Sequence, residues 1–362
     1  LNKKMNISKL LIVFFTAIIL FGCVDKNNNQ DVEADIFNTT KASDIAKEYL
    51  DFISIGDLNG ANKLCKQELL EANKNIGVGT SRIISYAQEN LIESGMSAYV
   101  VFNVVRSSDS EPKCDLDNFS IKIEKSGEDY KISEVKAINK GQVFVKNNTL
   151  RMIGEDGGKS DLIVKLSDMP RDIYPRDNKV MLYKEPSPNQ AFDIVALSYT
   201  GKKVAISTTG DNSQFVSIGY IENSKQTASG SGSTTSNNSQ LEQSLEGILE
   251  KPIAKKVVPV DVLKDCSIND FIFSQEEEEL IIEYTSNLSV NRIKVYKSDD
   301  GTPVDFGIDD KFPEDKYNIK VVGLDKNKIF IKVEAANKSE NIDKEILGKY
   351  EVDTEKSNIN KL

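Results

Sequence analysis

Three stretches in the second half of the chain share one layout, and that layout limits the fold more than any other feature. They are "DIVALSYTGKKVAISTT" (193–209), "INDFIFSQEEEELIIEYTS" (268–286) and "NIKVVGLDKNKIFIKVEA" (318–335). Each has an apolar strand, a polar turn carrying Gly, Asp or Glu with Lys, and a second apolar strand. Each then runs on to a further strand, "FVSIGYIE", "VNRIKVYKS" or "GKYEVDTE". Repeated three- or four-strand units of this kind build propeller blades or a β-sandwich. The Ser/Gly/Asn-rich segment "SKQTASGSGSTTSNNSQ" (224–240) has no side chains for a core and reads as a disordered insertion. "PRDIYPRDNKVMLYK" (170–184) offers one more hairpin.

The other end of the chain reads as an address. Lys3, Lys4 and Lys9 precede an apolar run from Leu10 to Phe21, and polarity returns at Asp25, as in a secretory signal. As a helix the run spans roughly 18 Å at about 1.5 Å per residue, short of the ~30 Å hydrocarbon core. The junction Leu20-Phe21-Gly22-Cys23 resembles the bacterial lipoprotein signal, with Phe21 where that family usually has a smaller residue. The resemblance implies lipid on the Cys23 thiol and cleavage just before it. Residues 1–22 are then the signal peptide and 23–41 a lipidated tether, in which "VDKNNNQDVEAD" is polar enough to stay solvated.

Composition removes whole classes of activity. The chain has no His, which excludes Ser-His-Asp and Cys-His catalysis and His-ligated zinc. A net charge of −10 argues against nucleic acid, so the lipid on Cys23 is the expected membrane contact. Besides Cys23 there are Cys65, Cys114 and Cys266, whose spacing fits no zinc pattern. A disulfide between Cys65 and Cys114 and a small buried Cys65 on a helix are both open readings.

Between these regions the period changes. Ser43, as an N-cap, then Ile45, Tyr49, Phe52 and Ile53 follow helical spacing up to Gly56. Asp57 caps a second helix with Leu58, Ala61, Leu64, Cys65 and Leu69 on one face. Four strands follow at 82–95, 97–108, 117–126 and 129–138, with a tight turn at Gly127-Glu128. "ASDIAKEYLDFISIGDLNGANKLCKQELL" followed by strands ending in "GEDYKISEV" resembles the cystatin-like, nuclear-transport-factor-like superfamily. That resemblance implies a small pocket and transfers no catalytic set. The expected fold class is therefore α+β over 42–138, two helices packed on a curved antiparallel sheet. An all-β domain, propeller-like or an irregular sandwich, follows over 141–362. Its "GKKVAIST" hairpin resembles those of TolB-type propellers, and the length allows four or five blades of about 40 to 45 residues.

Metal and cofactor sites are not expected. Glu276 to Glu279 read as a solvated turn rather than a cation site. Asp299 and Asp300 before Gly301 lack the alternate-residue spacing of a calcium loop. "IGVGTS" (76–81) lacks the lysine of a phosphate loop. Tyr183, Tyr199, Tyr220, Tyr284 and Tyr296 belong to the core or to a binding face. These features point to a lipid-anchored bacterial cell-surface protein, a non-catalytic binding or scaffold module for an envelope protein, peptide or glycan, with a carboxylate-dependent envelope hydrolase as the alternative. If the address is separate from the body, Cys23→Ala releases the protein from membranes and leaves its circular dichroism unchanged. Loss of the folded signal in that variant refutes the separation.

Overall fold

The computed structural model describes residues 36–73, 81–174, 182–222, 250–337 and 342–362. Leu20, Phe21, Gly22 and Cys23 lie outside the described residues, as does the insertion at 224–240. Strand accounts for 57% of the structure and helix for 12%, which makes the protein mainly β. This corrects the expected fold class, and the reason lies in the fourth strand.

Three short helices come first: α1 (Thr39–Ser54), α2 (Leu58–Lys63) and α3 (Gln67–Asn73). Asn38 caps α1, its side-chain oxygen accepting from Lys41 N–H at 2.9 Å. Ser43, expected as the cap, instead lies inside the helix and donates to Gln88 Oε1 at 2.7 Å. Asp57 caps α2 as expected, accepting from Gly60 N–H at 2.9 Å. The second helix is interrupted after Lys63, where Cys65 forms an isolated bridge to Ile132.

An antiparallel sheet then runs in sequence order through β1 (Ser81–Ser94), β2 (Ser97–Ser108), β3 (Lys113–Ser126), β4 (Asp129–Lys146), β5 (Thr149–Gly154) and β6 (Asp161–Lys165). β4 continues through residues 138–141, where a separate α+β body was expected to end. Its first half pairs with β3 alone, and its second half also pairs with β5. The expected boundary falls beside residues 136–139, which are the exposed middle of one continuous strand.

After the two-residue pair β7 (Asp172–Ile173) and β8 (Glu185–Pro186), three antiparallel meanders follow, and the fold is propeller-like. The first contains β9 (Ala191–Leu197), β10 (Lys203–Gly210), β11 (Ser213–Ile221) and β12 (Ala254–Lys264). The second contains β13 (Ser267–Phe273), β14 (Glu279–Thr285), β15 (Asn291–Lys297) and β16 (Pro303–Val304), and is followed by the one-turn helix α4 (Ile308–Lys311). The third contains β17 (Tyr317–Asp325), β18 (Lys328–Ala335), β19 (Gly348–Asp353) and β20 (Asn358–Lys361). Pro259 is tolerated because β12 is an edge strand, where no neighbour needs its missing N–H.

The apolar pattern follows from how many faces each sheet buries. Phe271, Phe273, Leu280 and Ile282 pack into a core shared with Val105, Cys114 and Leu116 of the first sheet and Val195, Ala205 and Val216 of the first meander. The alternate residues Ile272, Ile281, Ile293 and Val295 pack the other way, against Ile319, Ile331 and Tyr350. The second meander buries residues on both faces, so β13 and β14 carry short unbroken apolar runs, Phe271 to Phe273 and Leu280 to Ile282. In β18, by contrast, Ile329, Ile331 and Val333 are buried while Lys332 and Glu334 are exposed, the alternation of a sheet with one wet face.

Polar clasps join these layers. Arg82 on β1 donates both bonds of one guanidinium nitrogen to Asp270 on β13, at 2.7 and 2.8 Å, and its Nε donates to Asp109 at 2.8 Å. Glu277, in the turn read as solvated, is buried. Its carboxylate accepts from Thr200 N–H at 2.6 Å and Thr200 Oγ1 at 2.9 Å, and Lys203 Nζ donates to its carbonyl at 2.6 Å. Glu277 thus pins the β13–β14 turn to the β9–β10 turn. The expectation fails because one of four consecutive glutamates sits in the left-handed region, at φ 58°, and turns inward.

Glu283 on β14 is also buried, and accepts from Val321 N–H at 2.6 Å. Desolvation pushes its carboxyl up from 4.5 to about 7. The folded state therefore keeps a proton that the unfolded chain releases. Stability falls as pH rises from about 4.5 to about 7, by on the order of 2 to 3 kcal/mol. Urea melts at pH about 5 and about 8 should show this loss in the wild type and a smaller one in Glu283→Gln. An equal loss in both proteins assigns the slope to other groups.

Candidate binding groove

The first and second meanders leave a groove of about 590 Å³ between the edge strand β12 and the outer part of the second meander. One wall is Asp261 to Cys266, the end of β12 and the turn beyond it. The other is formed by Ile293 to Tyr296 on β15 and by the segment from Pro303 to Asp309. Tyr284, Ser286 and Asn287 line one end, and Glu314 and Glu185 complete the lining. The volume falls in the range of small-ligand sites, roughly 300 to 1,000 Å³.

The groove exists because β16 is only two residues long and pairs with β15 at Val295 and Tyr296 alone. Beyond Val304 the chain leaves the sheet and turns through Gly307, whose φ of 70° is left-handed, into α4. Arg292 holds this wall in place. Its side chain is 1% exposed, donates to the carbonyls of Phe312 at 2.8 Å and Tyr317 at 3.2 Å, and pairs with Asp309. A buried guanidinium with several acceptors is a rigid strut, because any displacement leaves its donors unsatisfied.

On the opposite wall Asp261 accepts from the Tyr296 hydroxyl and lies 3.9 Å from Lys294. Lys264 pairs with Glu185 at 2.7 Å. Ser286 Oγ is buried without a hydrogen-bond partner among the described residues. Burial and the carboxylates of Asp309 and Glu314 raise the Tyr284 phenol far above its ordinary value. Among the described residues no group of three or more His, Cys, Asp or Glu side chains is placed to hold a metal ion.

The five tyrosines divide. Tyr199 and Tyr296 are buried, Tyr220 is half-buried and donates to the Ser298 carbonyl at 2.8 Å, Tyr284 lines the groove, and Tyr183 is exposed. Cys65, Cys114 and Cys266 are free thiols, and no bond joins Cys65 to Cys114. Cys65 donates to Ala61 O at 3.4 Å within the helical region, whereas Cys114 on β3 accepts from Leu197 N–H of the first meander at 3.3 Å. Asp299 and Asp300 build a turn, with Thr302 N–H donating to Asp300 at 2.8 Å. Of the groove residues, sequence reasoning singled out Tyr284, Tyr296 and Cys266. The acidic stretch "KSDDGTPVDFGIDDKFPEDK" (297–316), weighed for calcium, contains Glu314, whereas Asp265 was missed, and only the topology brings the two to one place.

No family model matches the chain, and no curated protein matches it. Some solved structures are similar at low identity. The β-propeller domain of the Trilobed protease from Pyrococcus furiosus is 7% identical, over 75% of this chain and 69% of that one, with a TM-score of 0.28. A KlHsv2 with loop 6CD replaced by a Gly-Ser linker is 10% identical, over 78% and 72%, with a TM-score of 0.27. A structure from a study of two prolyl endopeptidases is 10% identical, over 90% of this chain and 54% of that one, with a TM-score of 0.25. Likeness at this level carries no argument about activity, and the propeller-like description rests on the three consecutive meanders.

Cys266 gives chemical access to the groove. It is half-buried, while Cys65 and Cys114 are buried, and burial pushes all three thiols up. In Cys23→Ala protein, a maleimide should label Cys266 first, faster as pH rises, and reach Cys65 and Cys114 only in denaturant. Equal labelling of the three native thiols contradicts the burial order.

Proposed function

We propose that this chain is a lipid-anchored bacterial envelope protein that works by binding rather than by catalysis, holding a partner in the groove between its first and second meanders. The anchor is the lipid on Cys23, motivated by the Leu20 to Cys23 junction and the polar segment after it. The observation that carries the binding reading is the groove itself. It has ligand size and a mixed lining of apolar, tyrosine and charged side chains, and it is framed by strands that also contribute to the packed cores.

Its lining offers little for covalent chemistry. The chain has no His, the two lysines in the groove are spent on Glu185 and Asp261, and burial raises the Cys266 thiol. A hydrolase would need a carboxyl kept protonated near neutral pH beside the substrate. Glu283 has that property but is buried against Val321, outside the groove lining. Binding is the reading these positions support.

The test uses full-length Cys23→Ala protein with and without a bulky maleimide on Cys266. Both are offered native envelope extract, and bound proteins and glycans are quantified. A saturable partner held by the open groove and weakened at least about ten-fold by the label supports the reading. Equal capture by both forms, or no saturable capture by either, overturns it.

A further inference from the structure

Resting on that reading, we propose that the groove takes a basic segment of a partner protein, with Tyr284, Glu314 and Asp265 seating its lysine or arginine side chains. Charge gives the first reason. Six carboxylates line the groove against two lysines, and both lysines already have acid partners in Glu185 and Asp261. Asp309 is held by Arg292, and Asp305 accepts from Gly307 N–H at 2.7 Å. Asp265 and Glu314 are the two lining acids whose carboxylates have neither an ion pair nor a hydrogen bond among the described residues. An acidic groove with unspent carboxylates attracts cations and disfavours anions.

The form of the cation follows from how the acids are spread. A divalent ion needs several oxygens converging on one point, and no such group occurs among the described residues. Carboxylates distributed over a groove of about 590 Å³ instead suit charges carried on separate side chains. The remaining lining fits the stems of those side chains. Val304, partly exposed in front of the buried Phe306 and Ile308, supplies apolar surface for methylene chains. Tyr284 is half-buried in the field of Asp309 and Glu314, and an aromatic face in a negative field is where an ammonium or guanidinium gains most.

The probe is a fluorescein-labelled tetra-arginine peptide, with tetra-glutamate as its counterpart, followed by anisotropy on the full chain at about physiological salt. Saturable binding of tetra-arginine alone is expected. Glu314→Gln combined with Asp265→Asn should weaken it at least about ten-fold, and Tyr284→Leu several-fold. Glu68→Gln with Glu71→Gln on α3, away from the groove, should change nothing. Circular dichroism of each variant separates lost binding from lost fold.

If the α3 pair weakens binding as much as the groove pair, the attraction is that of an acidic surface in general and the proposal fails. It also fails if tetra-arginine does not bind while the maleimide on Cys266 still displaces an envelope partner, an outcome that leaves the groove reading intact and changes its ligand. Absence of both effects ends both readings.

Discussion

The contact between Arg82 and Asp270 is the one on which the arrangement of sheets depends. The two residues are far apart in sequence, one on the first strand of the first sheet and the other on the first strand of the second meander. Asp270 is buried, and desolvation pulls its carboxyl up while the guanidinium of Arg82 works against that shift. Asp270 is buried while Arg82 is partly exposed, so the pair lets the carboxylate stay charged at the edge of the core while solvent screens the guanidinium. With the pair made, β1 lies beside β13 and the apolar faces of the first sheet and the first two meanders close into one core.

That core explains why some of the fold was legible and some was not. The strands of the meanders were readable because their residues obey a local rule, alternation where one face is wet and unbroken apolar runs where both are dry. β18 and β14 are the two cases. The start of α1 was misplaced because Ser43 and Asn38 are both good caps in isolation. Only the partner of Ser43, Gln88 on β1, shows which one lies inside the helix. The end of the first sheet was misplaced for a related reason. Polar residues around Asn139 look like a linker when read locally, yet they are the solvent-facing middle of β4.

The groove was the least legible feature, since it is made of what the strands leave uncovered. Pro303 and Val304 carry the only local hint, a Pro that limits an edge strand to two residues. Asp265 and Glu314 have no sequence relationship: one follows β12, and the other lies near the end of the acidic stretch 297–316. Glu277 makes the opposite point. It belongs to the most conspicuous acidic run in the sequence, yet it serves as an internal strut between two turns, its carboxylate filled by a neighbouring threonine.

The third meander has a dry face toward the second and a charged one away from it, with Lys320, Lys332, Glu334 and Lys349 exposed. Charges on alternate positions of such a face make it a poor surface for a further sheet to stack on, so the residues that finish this meander also keep the sheets of other molecules off it.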